Sequence, residues 1–188
     1  MTHPTTTEIA QQLETLSAIE LSNTSWTDES LLAVVQTTSS PLIARLYACE
    51  ILLRRDHAKF QTIIGTDNIA TLYVSAFRDQ VTIDLNPWAF LNLNELGPFG
   101  RRLVACGEAA VRALTPLLSQ DRAAGLYSGS EESKEGNADR ARVCDFAAFF
   151  IAKIKQLPYR FYRNDWSLRD AEIDQVKKLA LTTLTQPE

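Results

Sequence analysis

Residues 139–156, DRARVCDFAAFFIAKIKQ, restrict the fold more than any other stretch of this chain. Val143, Phe146, Ala147, Phe150, Ile151 and Ile154 recur at helical spacing and make one continuous apolar stripe. The opposite side carries Ala148, Phe149 and Ala152 where a surface helix would carry charge, so a second layer is expected to pack there, with small residues permitting close approach. A helix buried on more than one side predicts an all-α, layered fold.

Asp145 falls on that second side, where an unpaired carboxylate would be costly to desolvate. A partner is expected from Arg140, Arg142 or an arginine on a neighbouring helix, which favours a structural ion pair over catalysis. Glu50 raises the same question between the two stripes of an earlier helix. It is expected to pair with Arg54 one turn later, the alternative being a carboxyl kept neutral by burial.

From the N-terminus, Thr5 and Glu8 form a capping-box pattern ahead of Ile9, Leu13, Leu16 and Ile19, predicting a helix that ends near Leu21. Thr27 caps a second helix ending near Thr37, with Asp28 and Glu29 near its positive dipole end. Ser40-Pro41 starts a third that runs to about Asp56, and His57 then falls near a helix end as a surface or capping residue. Phe60 to Ile64 is expected as a short apolar turn closed by Gly65, after which Asp67 caps a helix ending near Gln80. VTIDL, 81–85, alternates like a strand but has no pairing partner in the sequence, so it is expected as an extended connector and no sheet is predicted.

Residues 86–100 concentrate Trp88, Phe90 and Phe99 among turn residues, either as a cover for one end of the core or as a partner-binding lip. Pro98–Cys106 and Gly107–Ser119 are expected as one bent helix or two abutting ones, because Gly107 interrupts the pattern and Pro116 lies inside the second half. Residues 120–138 contain SGSEESKEGN and are expected as a loop, with Tyr127 just before that run and Glu131 and Glu132 available to a basic partner. PYRFYRNDW mixes Tyr159, Phe161, Tyr162 and Trp166 with Arg160 and Arg163. That composition suits phosphates and stacked bases, or a loop wrapped over the core with arginines on rings. Ser167 with Asp170 restarts a final helix, with Leu168, Ile173, Val176, Leu179, Ala180 and Leu184 inward and Arg169, Lys177 and Lys178 solvated.

ARVCDFAAFFIAKI resembles the second helix of a HEAT repeat, and GEAAVRALTPLLS is similar to the first helix of such a pair, with Pro116 where proline commonly bends it. ARLYACEILLRR, 44–55, is a weaker echo. The resemblance is best over 107–156, and the SGSEESKEGN insertion departs from the family's short turn. It implies a layered α-α superhelix of HEAT-like helical pairs, about seven to eight helices, used mostly for protein recognition and sometimes for nucleic acid, as in alkylation-repeat DNA glycosylases. The expected organisation is one all-helical domain over 1–188. N-terminal helices span 5–80, an irregular connector 81–100, and a HEAT-like pair 101–184 with an insertion at 120–138 and a C-terminal capping helix.

The 188 residues, 45% of them hydrophobic, suffice for a substantial core, and a net charge of -4 disfavours a generic nucleic-acid or membrane-surface binder. The first residues are polar, no apolar run approaches membrane-spanning length, and Cys49, Cys106 and Cys144 are scattered, so reduced core thiols in the cytoplasm are expected. Glycine-rich phosphate loops, G-x-S-x-G and Glu-x-x-His are missing, and His3 and His57 cannot furnish a His-rich zinc site. No catalytic constellation, metal or cofactor is therefore expected. The leading expectation is a protein–protein interaction module, an adaptor or regulator, of which a small inhibitor or immunity-type protein is one form. A nucleic-acid-binding domain using Arg160, Arg163, Lys153, Lys155 and Arg169 comes second, and an enzyme using Glu50 or Asp145 third.

Overall fold

A computed structural model describes residues 4–15, 25–80, 85–92, 95–129, 131, 133–138, 140–159 and 165–184. The fold is all-α, and the chain divides into two compact units, Met1–Ala76 and Phe77–Glu188.

In the first unit, α1 (Thr6–Glu14) opens with both halves of the capping box, Glu8 N–H donating to Thr5 Oγ1 at 3.3 Å and Thr5 N–H to Glu8 Oε2 at 2.7 Å. It buries Ile9, Ala10 and Leu13; the expected continuation through Leu16 and Ile19 lies outside the described residues. α2 (Asp28–Gln36) is capped by Thr27 and buries Leu31, Val34 and Val35 against α3 (Leu42–Arg55), whose residues from Leu46 to Leu53 are all buried. Ser40 does not cap α3. Its N–H donates to Thr37 O in the turn after α2, leaving Pro41 extended as the residue before the helix.

The apolar turn expected at Phe60 to Ile64 is instead a helix, α4 (His57–Ile64), because the Asp56 side chain accepts from Lys59 N–H at 3.0 Å and starts it one turn earlier. His57 therefore begins a helix and is exposed. Gly65, at φ 86, reverses the chain in a single step, and its carbonyl already accepts from Ile69 N–H. Asp67 is thus inside the first turn of α5 (Thr66–Arg78) and is not its cap.

The second unit begins at Phe77 in the last turn of α5. Of the expected connector, 81–84 lies outside the described residues. A 3-10 turn (Pro87–Ala89) leads to a hairpin of two residues per strand, β1 (Leu91–Asn92) and β2 (Glu95–Leu96), Leu91 opposite Leu96 and Asn92 opposite Glu95. It is too short to form a layer. α6 (Pro98–Ala105) and α7 (Glu108–Leu114) are separate helices because Gly107 sits at φ 55 between them, and Pro116 lies in a 3-10 turn (Thr115–Ser119) that continues α7. Gly100 is dictated by packing, since a Cβ there would lie 2.0 Å from Phe90 O.

Within 120–138, expected as a loop, the described residues include paired main chain and a short helix. Residues 120–124 run antiparallel to 141–144 through Ala124 N–H to Ala141 O at 2.9 Å, Val143 N–H to Arg122 O at 3.0 Å and Cys144 N–H to Gln120 O at 3.1 Å. A short helix, α8 (Ser133–Ala138), follows. The central helix is α9 (Val143–Lys155), shorter at its start than expected because Arg142 is extended as its N-cap, while Gln156 closes it in the left-handed region. Val143, Phe146, Ala147, Phe150 and Ile151 are buried, and so are Ala148 and Ala152 on the opposite side. α9 packs on α6, α7, the Thr115–Ser119 turn and α10 (Trp166–Leu184). Phe77, Phe90, Phe99, Phe146 and Phe150 form an edge-to-face network with centroid separations of 5.5–5.9 Å. Among the described residues, no helix is long and apolar enough to cross a membrane.

Candidate interaction site

Asp145 is fully buried, and its carboxylate is saturated by two arginines. Arg142 contributes its main-chain N–H at 2.8 Å, its Nε at 3.2 Å and its Nη2 at 2.9 Å, while Arg169 on α10 donates through Nη1 at 3.3 Å. The Arg142 guanidinium also reaches Asp170 at 2.6 Å and lies 5.0 Å from the Trp166 ring centroid. Hydrogen bonds donated to Asp145 above all, opposed by burial, hold Arg142 more firmly protonated than a free arginine. Burial pushes the neighbouring Cys144 thiol up to about 11, which makes it a poor nucleophile at neutral pH. Tyr159 O–H donates to Asp145 O at 3.1 Å, and burial raises its phenol above the ordinary range.

Arg169 is therefore 0% exposed and not solvated as its sequence position suggested. The inward stripe of α10 is Arg169, Ile173, Val176 and Ala180, spaced i, i+4, i+7 and i+11. Leu168 and Leu179, expected inward, flank that stripe and are 44% and 39% exposed. Leu168 N–H donates to Asp165 Oδ1, so α10 is capped by Asp165 and begins at Trp166, not at Ser167.

Arg142 forms one wall of a cavity of about 290 Å³ whose other apolar walls come from Ala124, Tyr127, Phe146 and Trp166. The wall is built by the segment 121–127, paired with 141–144 as far as Ala124. Its far end is clamped by Asn137, whose Oδ1 accepts from Tyr127 N–H at 2.8 Å and whose Nδ2 donates to Tyr127 O at 2.9 Å. On either side of the pairing at Ala124, the main-chain groups of Ala123, Gly125 and Leu126 take no hydrogen bond among the described residues. Leu126 is 74% exposed and Trp166 49%, both on the cavity. Arg140, exposed and at φ 45, stands on the rim and makes no ion pair among the described residues; Asp121 lies on the same lining and faces Arg142 at 3.7 Å.

The first unit has a cavity of about 350 Å³ beside Val35, Leu42, Ile63 and Leu72, where Arg45 donates to Val35 O at 3.1 Å and Asn68 to Ile64 O at 2.7 Å. Glu50, also buried, accepts from Arg54 Nε at 2.8 Å and from the Tyr73 hydroxyl.

Of the interface residues read from the sequence, Phe90 and Phe99 are 1% and 0% exposed and belong to the phenylalanine network, so they form no lip. The Trp88 side chain, Glu132, Arg160, Tyr162 and Arg163 lie outside the described residues. Tyr127 is buried at the back of the cavity, and Glu131 is exposed and paired with Lys134 at 3.1 Å. Lys153 is exposed, whereas Lys155 is paired with Glu108 at 2.5 Å. Among the described residues, no group of three or more His, Cys, Asp and Glu side chains is placed to hold a metal ion. Neither Leu126 nor the free edge beside it carries a sequence motif, and neither was singled out from the sequence. Comparison with protein-family models, with curated proteins and with solved structures gives no match for this chain.

Proposed function

We propose that this chain is a protein-interaction module, an adaptor or regulator, that receives part of a partner protein in the cavity between Leu126 and Trp166. The observation that carries this reading is the exposure of those two large apolar side chains on a preformed cavity whose wall is held by the Asp145 ion cluster. Exposed apolar groups around a rigid concavity are the usual anchors of protein recognition. The two buried carboxylates support the same choice over catalysis, because each is engaged by an arginine of its own unit. The HEAT-like resemblance is carried by 107–119 and 141–154, on either side of the insertion that builds the cavity wall, and that family's use in protein recognition agrees with the reading.

Panning a displayed library of random linear peptides on the intact chain tests the proposal, with Leu126→Asp and Leu168→Asp as paired controls. Leu126 lies on the cavity and Leu168 is an exposed leucine that does not line it. Enrichment that survives Leu168→Asp and disappears with Leu126→Asp is expected. Equal enrichment on all three chains, or none on any, counts against the site.

A further inference from the structure

We infer that the cavity takes its partner as an extended, acidic and apolar peptide segment that pairs by main chain with Ala123 and Gly125, an inference that rests on the proposed interaction function. Three independent features converge on this occupant.

The first is the state of the edge. Residues 120–124 are already hydrogen-bonded to 141–144 on one side, with Ala124 N–H and Arg122 O used inward. Alternation along an extended chain directs the main-chain groups of Ala123 the other way, and neither they nor those of Gly125 have a partner among the described residues. An unpaired extended edge is a template for one more strand.

The second is Gly125. A Cβ here would lie 3.1 Å from Cγ and Cδ of Gln80 and 3.4 Å from Pro87 Cγ, so its missing side chain is accounted for by the inward packing. No side chain therefore stands over its main chain, and another backbone can approach at strand distance. Ala123 on the same edge is exposed and carries only a methyl group.

The third is the lining. A strand laid along this edge directs alternate side chains toward the cavity, where about 290 Å³ lined by Tyr127, Phe146 and Trp166 is room enough for a large aromatic or branched aliphatic side chain. On the rim, Arg140 is the cation without an ion pair among the described residues, whereas Arg142 is already engaged by Asp145, Asp170 and Asp121. An acidic residue of the incoming segment is the complement of Arg140.

The test uses peptides enriched on the intact chain, labelled with a fluorophore and titrated by anisotropy. They are expected to carry an aspartate or glutamate near one large apolar residue. N-methylation of single amides is expected to weaken binding by about tenfold at alternate positions and little in between. Arg140→Glu is expected to weaken binding by a similar factor and to be rescued by a peptide in which lysine replaces the acid. Leu126-dependent binding that is indifferent to N-methylation at every position overturns strand pairing while leaving the interaction module intact. Loss by methylation without any effect of Arg140→Glu overturns the acidic preference. Failure to enrich any Leu126-dependent peptide overturns both this inference and the broader function.

Discussion

Two polar side chains of the second unit are equally removed from solvent and are treated in opposite ways. Asp145, 0% exposed, is met by a main-chain N–H and two guanidinium groups. Gln80, 2% exposed, has neither its Nε2 nor its Oε1 hydrogen-bonded among the described residues. Burial alone therefore does not say what a polar group contributes; the partners do. A saturated carboxylate ties the start of α9 to α10, whereas an orphaned amide lowers stability at the base of Gly125, beside the edge assigned to peptide pairing.

The largest effect is expected where the comparison is broken from the saturated side. Asp145→Asn keeps the shape but removes the charge that Arg142 and Arg169 share, and Arg169 is itself 0% exposed. Removing one partner of a buried ion pair costs about 3–5 kcal/mol because the remaining charge stays desolvated. The urea midpoint should fall accordingly, with α10 losing amide-exchange protection before α3 does. Unchanged stability would show that Arg169 finds water or another acceptor at no cost.

How far this cluster can be read from sequence depends on the distance of each partner. The burial of Asp145 follows from its place opposite the Val143 to Ile154 stripe, and an arginine partner follows from the cost of an uncompensated charge. That the second arginine is Arg169 is a tertiary fact, but its register was legible: it is in phase with Ile173, Val176 and Ala180, where Leu168 is not. Counting leucines instead of phase added Leu168 and Leu179 to a stripe whose Ile173, Val176 and Ala180 are inward as expected, and left Arg169 out of it. The α4 helix was missed for a similar reason, an unread cap at Asp56. The free edge at Ala123 to Leu126 was not legible, because its state is set by main-chain bonds between 120–124 and 141–144, which leave no side-chain periodicity. Of the two readings of Phe90 and Phe99, their burial agrees with a cover for the core and not with a lip, a choice that aromatic residues among turns do not make by themselves.

Glu50 gives an intermediate case in the first unit, where the compensation is shared between a half-exposed arginine and a buried hydroxyl. Tyr73→Phe removes one donor, leaves the ring in place at a fully buried site, and leaves Arg54 on the other oxygen. A hydrogen bond to a charged group contributes about 1.5–3 kcal/mol, so a smaller loss than for Asp145→Asn is expected, read from the same urea titration. A double variant with Glu50→Gln should lose less than the sum of the two single changes, since they delete one shared interaction. Strict additivity would mean that Arg54 alone stabilises Glu50.

The smallest effect, and one of opposite sign, is expected at Gln80. Methionine has nearly the same length and volume, carries no group that demands a partner, and can follow the path of Cγ and Cδ beneath Gly125. Because both amide atoms are buried and unpaired, Gln80→Met replaces a desolvation cost with apolar burial and should raise stability by about 1 kcal/mol, a higher urea midpoint with the slope unchanged. Peptide affinity at the Gly125 edge should stay as it is, since the pairing groups there belong to the main chain. A fall in stability would identify an acceptor or donor that meets the Gln80 amide in solution. A fall in affinity alone would make that amide part of the peptide site, reaching the ligand past a glycine that leaves it room.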